Sequence, residues 1–345
     1  MGATRSTAAR AAARTSPRAL VAGFPAAARL HVVTGKGGTG KTTAATALAL
    51  ALAETGRRVL LVEVEGRQAL AQLFDMPPMP YEEVRLTSVG NGGELYGLAI
   101  DAEQAMIEYL DMFYGLKRSA RGLKKMGAVD FVTTLAPGLR DVLLTGKVKE
   151  AVVRTVDGRP AYDAVVLDAP PTGRIGRFLD ATREVAKLTK FGPINSQSEG
   201  VIKLLHGPKT AVHLVTLLEE MPVQETLDAA AELVSLGFTL GAVVVNRARP
   251  ALITDELFGA GGVDADALAA ELDMAGVAAG DAAALAGALA VEMADYAQRQ
   301  RVQEENEVRL ESLDLPRVEL PDLNPPVALG ELKDLAACFL EDVPQ

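Results

Sequence analysis

The chain has a single cysteine, Cys338, among 345 residues. A lone thiol excludes an intrachain disulfide and leaves no cysteine cluster to hold zinc or a soft metalloid, so a reducing cytoplasm is the expected compartment. Long apolar runs are missing as well. The longest, around 44 to 53, falls short of the roughly 20 residues that span a bilayer and reads as part of a helix. Basic residues are in the minority. The 35 Lys and Arg face 45 Asp and Glu, a formal charge of −10, which argues against the broad cationic face that nucleic-acid binding requires. What is present is 49% hydrophobic residues, enough to fill one large α/β domain or two ordinary ones.

The first 30 residues carry Arg5, Arg10, Arg14, Arg18 and Arg29 with no acid. That charge pattern superficially fits a transit peptide. Its apolar content is mostly alanine, however, and no compact signal core is evident, so residues 1–29 read as a disordered basic tail. From Leu30 onward apolar runs alternate with helical periodicity. This is the pattern of a doubly wound α/β fold, a mostly parallel sheet with helices on both faces. Strands are expected at 30 to 35, 58 to 64, 95 to 101, 162 to 168, 211 to 216, 240 to 246 and 316 to 320, most of them β-branched and flanked by turn residues. Helix-rich stretches at about 102–160 and 174–208 interrupt the rhythm and read as one inserted helical subdomain above the sheet, on the side where open α/β sheets bind ligands. Residues 260 to 285, low in complexity, read as a surface excursion, and 286 to 312 as a helix with a solvated, mixed-charge face.

The chemistry concentrates in "HVVTGKGGTGKTTAATAL", His31 to Leu48. Gly35 to Thr42 matches G-x-x-x-x-G-K-T between a predicted strand and a predicted Ala-rich helix, the context that makes the pattern a phosphate cradle. Gly35, Gly37, Gly38 and Gly40 allow successive backbone N–H groups to face phosphate oxygens, and the helix N-terminus adds partial positive charge. Lys41 then bridges the β- and γ-phosphates of ATP while the Thr42 hydroxyl ligates Mg²⁺. The magnesium also needs an acid at the end of another strand. Asp168 in "VVLDAPPTGR" supplies it, directly or through a water, ahead of a Pro-Gly loop able to follow the γ-phosphate.

"GKGGTGKTT", which brings Lys36, Thr39 and Thr43 into the nucleotide-binding set, resembles the deviant Walker A motif of the signature-lysine P-loop ATPases. "DAPPTGR" resembles the D-x-x-P-T-G-H/R switch of the branch that holds the arsenite-pump ATPase and the tail-anchored-protein-targeting ATPase. The similarity runs from about 30 to 340, through "LAID", "APGLRD", Glu219 and the Glu225-Thr226 pair in "TLLEEMPVQET", "VVVNR" and "VELP". It is most like an actinobacterial, anion-transporting-ATPase-like member of that family. The resemblance implies a deviant-Walker-A fold with an inserted helical subdomain and a nucleotide sandwiched in a homodimer, or in a heterodimer with a paralogous ATPase. It also gives Lys36 a role, reaching across the dimer to the partner's phosphates much as an arginine finger does. Asn246 would read the adenine edge and Pro321 would pack near the base.

The match also departs from the family. Where members place an aspartate that positions the attacking water, this chain has "VEVEGRQAL", with Glu65 at that position and Glu63 two residues before it. One thiol does not make the thiolate cluster that arsenite requires, and the C-x-x-C zinc clasp of the eukaryotic tail-anchor targeters is missing. The client is therefore an unidentified protein or anion. Residues 109 to 131 mix apolar and basic side chains that suit an acidic partner, an apolar segment or a peripheral membrane contact, or a plain packed helix. The expected activity is a Mg-dependent ATPase switch. The rivals are a non-hydrolysing regulatory subunit and a partitioning ATPase of the ParA/MinD kind.

Overall fold

The computed structural model describes residues 18–114, 137–188, 193–250, 264–323 and 327–342. The chain enters through β1 (Arg18–Leu20), β2 (Leu30–Gly35), α1 (Lys41–Glu54), β3 (Arg58–Glu63), the short α2 (Ala69–Leu73), β4 (Val84–Ser88) and β5 (Glu94–Ala99). Helices α3 (Ala102–Tyr114) and α4 (Pro137–Val153) follow, then the small hairpin β6 (Thr155–Val156) and β7 (Arg159–Pro160), and β8 (Ala164–Asp168). Next come α5 (Thr172–Leu188), α6 (Pro193–Leu205), β9 (Thr210–Thr216), α7 (Glu220–Ser235) and β10 (Leu240–Ala248). The chain closes with α8 (Ala265–Met274), α9 (Ala279–Glu311), β11 (Arg317–Pro321), α10 (Leu329–Ala337) and β12 (Leu340–Asp342).

Eight strands form the central sheet in the order β11-β10-β9-β2-β8-β3-β5-β4. Every neighbouring pair is parallel except β4 with β5. The expected fold class is the observed one, a doubly wound P-loop NTPase sheet. Strand side chains sort to opposite faces with period two. Val33, Leu61, Val166 and Val244 pack with α1 and α10 on one face, while Val32, Leu60, Val165 and Leu214 meet the helices that cover the other. Helix α1 is apolar on all sides because it is enclosed on all sides, between the sheet and α10. Its Leu48, Leu50 and Leu52 are fully buried, and truncating any one to alanine should cost about 2–5 kcal/mol.

Four expectations change. The expected tail ends too late: Arg18–Leu20 is a strand paired antiparallel with Leu340–Asp342, and Phe24 is buried, so the fold begins by residue 18. Residues 1–17 lie outside the described residues. Second, the described parts of the expected insertions are not a separate cap above the sheet. Helices α4 and α5 lie flat on one face, where Leu143, Leu144, Val148, Ile175 and Phe178 join the strand side chains in a common core. Third, the low-complexity stretch is regular where it is described: residues 264–285 form α8 and the beginning of α9, which pack against each other and leave most of these side chains exposed, in keeping with a surface excursion. Residues 260–263 lie outside the described residues. Finally, β4 was not expected, since this edge strand is only half-buried and lacks an apolar run. Of the stretch 109 to 131, residues 115–131 lie outside the described residues.

Strand β2 lies between β8 and β9. From there the chain first fills positions to one side, through β3, β4, β5 and β8, and then the other side through β9, β10 and β11. The carboxyl ends around β2 therefore form a topological switch point, the place where such sheets receive ligands.

Candidate nucleotide site

The turn after β2 wraps from Gly35 to Gly40 and delivers Lys41 as the first residue of α1. Two glycines are dictated by close approach. A Cβ on Gly35 would strike the Val215 carbonyl on β9, and one on Gly40, which also has φ +83°, would strike the Asn246 side chain. Thr39 steadies the turn by donating from its hydroxyl to the Lys36 carbonyl at 2.9 Å. Asn246, near the end of β10, donates its side-chain amide to the Thr39 carbonyl at 2.8 Å. The amide thus braces the glycine turn from β10, two strands away from β2, a role its sequence context did not reveal.

Lys41 is buried and lies near Asp168, the last residue of β8. Thr42 donates its hydroxyl to Asp168 Oδ2 at 2.6 Å, and Asp168 Oδ1 is buried with no hydrogen-bond partner. An orphaned buried carboxylate oxygen beside a threonine hydroxyl and a lysine suits a hard cation that takes oxygen ligands and keeps phosphates and waters in its shell. Burial pushes the Asp168 carboxyl up to about 6, with the Thr42 hydrogen bond and the Lys41 charge pulling it down and Glu63 and Glu65 adding to the rise.

The two acids at the end of β3 have different partners. Glu63 faces Asp168 across the β3–β8 pair, is buried, and accepts from the backbone N–H groups of Ala69 and Leu70 at 3.3 and 3.2 Å. It caps α2. Glu65 makes an ion pair with Arg67 at 3.6 Å and stays close enough to influence Asp168. Of the two, Glu65 retains a carboxylate uncommitted to backbone.

Lys36 points its ammonium at Glu225 on α7, with Nζ to Oε1 at 2.7 Å. The other oxygen of Glu225 accepts from the Thr172 hydroxyl at 3.4 Å. Thr172 opens α5 directly after the Pro170-Pro171 turn, and that turn is tied to β2 by the Thr34 hydroxyl on the Pro170 carbonyl at 2.7 Å. Arg174 in the same turn of helix reaches Asp141 on α4 at 3.2 Å. On the other flank Asp322, next to Pro321, receives Arg247 and Arg249 at 3.0 and 3.1 Å, pinning the end of β10 to the end of β11. Pro321 is exposed there, and a groove of about 560 Å³ opens beside Arg247 between Leu218 on one wall and Val302 of α9 on the other. The structure thus brings together the cradle, Asp168, Glu65 and Asn246, while Pro321 pairs with Ala248, two residues beyond Asn246. Sequence reasoning named Glu225 and Thr172 only as parts of family-like motifs and missed Asp322, and it foresaw none of their contacts, since each is joined to its contact by the fold alone. Gly37 and Gly38 have open space around their Cα atoms, leaving the mouth of the turn clear. Thr43 follows Thr42 on α1 and is half-buried.

A family model described as Anion-transporting ATPase matches residues 28–208. The chain is 55% identical over 312 residues to ATPase BagA of Mycobacterium tuberculosis (strain ATCC 25618 / H37Rv), a match covering 89% of this chain and 91% of that protein. It is 29% identical over 197 residues to ATPase GET3 of Kluyveromyces lactis, covering 55% of each. A match of 25% over 259 residues to the ATPase ASNA1 homolog of Entamoeba dispar covers 63% of this chain and 76% of that protein.

Proposed function

Because the chain belongs to the anion-transporting ATPase family, we propose that it is a Mg-dependent ATP hydrolase that works as a closing dimer and couples the nucleotide cycle to a protein or anion client. The observation that carries this reading is the Asp168–Thr42 pair, with its unpartnered Oδ1, set beside Lys41 at the mouth of the cradle. The backbone of Gly35 to Thr43 would hold the phosphates, and Lys41 would balance their charge. Thr42 and Asp168 would hold the magnesium, which supplies charge neutralisation on the transferred phosphoryl group. Glu65 would orient the attacking water, and Lys36 would be delivered to the phosphates of the opposite subunit. Asn246 and Pro321 would lie on the side of the base.

Among the described residues no helix is long and apolar enough to cross a membrane. The cytoplasm is the proposed location on the separate ground of the lone thiol. One observation favours a second reading. Glu65 is engaged by Arg67, which suits a nucleotide-binding subunit that leaves hydrolysis to a paralogous partner. Two measurements test the first reading: calorimetric titration of Mg-ATP into wild type and Lys41→Ala, and wild-type turnover followed against protein concentration. The reading expects loss of binding in the variant and turnover per chain that rises as the protein associates. Undiminished affinity in Lys41→Ala, or turnover independent of concentration, would overturn it.

A further inference from the structure

We propose that Glu225 is a latch, a positioning residue that holds Lys36 within its own subunit and releases it when nucleotide reshapes the loop carrying Thr172. The inference rests on the reading of Lys36 as a lysine delivered in trans. Its grounds are geometric. A single carboxylate on α7 joins both walls of the nucleotide site, with Oε1 on Lys36 of the cradle at 2.7 Å and Oε2 on Thr172 at 3.4 Å. Thr172 lies four residues beyond Asp168, in the segment that would respond to the γ-phosphate.

The physical argument is a competition for one cation. In a single chain the Lys36 ammonium gains most from the carboxylate beside it, and while it is held there it is withdrawn from any second subunit. Closing a dimer then requires that this pair be broken. Polyphosphate on the opposite subunit carries more negative charge than one carboxylate, so exchange becomes favourable once a filled site approaches. Thr172 makes the exchange dependent on the chain's own nucleotide. Moving its hydroxyl removes one of the two contacts that orient the Glu225 carboxylate. A partly exposed ion pair of this type is weak, worth up to about a fivefold bias, which suits a latch that must open every cycle.

The test uses the full chain and two readouts. In the first, nucleotide-free protein is treated with a limiting amine-acylating ester, and labelling at Lys36 is quantified by peptide mass spectrometry against the exposed Lys209. Glu225→Gln should raise Lys36 labelling about two- to fivefold, and Glu225→Asp, one methylene too short to hold the same contact, should raise it in part. Unchanged labelling in both variants would overturn the latch whatever the oligomeric state. In the second, the protein concentration giving half-maximal turnover should fall by the same factor in Glu225→Gln, and a Lys36→Ala background should abolish that shift in the association measured by sedimentation with Mg-ATP. An equal shift in the Lys36→Ala background, or none in the wild-type background, would overturn the handover. Should wild-type turnover be independent of concentration, the dimer reading itself fails, and the labelling result still decides the pair. Melting temperatures establish that each variant is folded, and Glu225→Asp carries the labelling test if Glu225→Gln does not fold.

Discussion

Acidifying the protein should loosen it through a pair of histidines far from solvent. His31 on β2 and His213 on β9 are fully buried, share a hydrogen bond between Nδ1 of the first and Nε2 of the second at 3.0 Å, and stack with Phe24. Their outer nitrogens, His31 Nε2 and His213 Nδ1, have no partner. A proton arriving on either ring would create a charge with nothing to pair it, so burial lowers His31 from 6.5 to about 4, with Arg57 adding to the fall, and lowers His213 in the same direction, again chiefly by burial and then by His31. The unfolded chain therefore binds more protons than the folded one between those values, and stability falls as pH drops through 6.5 toward 4. With about 1.4 kcal/mol per tenfold change in proton affinity, His31 alone should cost ~2 kcal/mol by pH 5 and ~3 kcal/mol by pH 4. Asp168 pulls the other way, because its folded-state value is raised. Its effect is removed by comparison with His31→Leu/His213→Leu, which deletes donor and acceptor together and so leaves no orphaned ring nitrogen. Urea unfolding at intervals from pH 7.5 to 4.5 should show wild type losing about 2 kcal/mol or more relative to the double variant between pH 7 and 5. Parallel pH profiles would refute the reasoning.

Further outcomes follow from the site. Lys36→Ala should keep Mg-ATP affinity within about tenfold while lowering turnover much further, because its proposed contact exists only across a closed dimer; normal turnover by this variant would remove the trans role. Glu65→Gln should slow single-turnover hydrolysis by about 100-fold or more with nucleotide retained, and wild-type-like cleavage would show that another group places the water. Asp168→Asn should abolish most of the difference in ATP affinity between magnesium and chelator, as followed by calorimetry; a preserved magnesium effect would remove Asp168 from the metal. Gly40→Ala forces a Cβ into the Asn246 amide at a positive φ, so nucleotide affinity should fall at least tenfold and the melting temperature by several degrees. An unaffected protein would contradict the described brace.

The buried strands were legible because parallel strands covered on both faces have little use for polar residues: "LHVVTG" and "AVVLD" become β2 and β8 within two residues of their expected limits. The cradle was legible because backbone approach demands glycine at fixed intervals, a local requirement. Strands β1 and β4 were not. Arg18–Leu20 is three residues whose sheet partner, β12, is more than 300 positions away, and Val84–Ser88 is a half-covered edge. The same limit hid the Glu225 contact. Glu225 stands out in the sequence only as part of a family-like pattern, and its partner is not defined until the fold brings the β2 turn to the second turn of α7. The helical stretches were found but misplaced. Their composition says helix, and only the shared core of Leu144 and Phe178 with Val165 tells that they line a face instead of standing over an edge.

The pairing of β1 with β12 also determines how the molecule would yield to a mechanical pull. Arg18 faces Asp342 and Leu20 faces Leu340, so a load applied through the chain on the outer side of the two strands enters at the Arg18–Asp342 end. It peels the ladder open pair by pair, like a zipper, instead of shearing three pairs at once. Behind the zipper stand Phe24 and Phe339, edge to face at 5.9 Å, and behind them His213 in β9. Traction at this corner is therefore carried by one rung at a time, and once the rungs part it reaches the central sheet through a stack of rings.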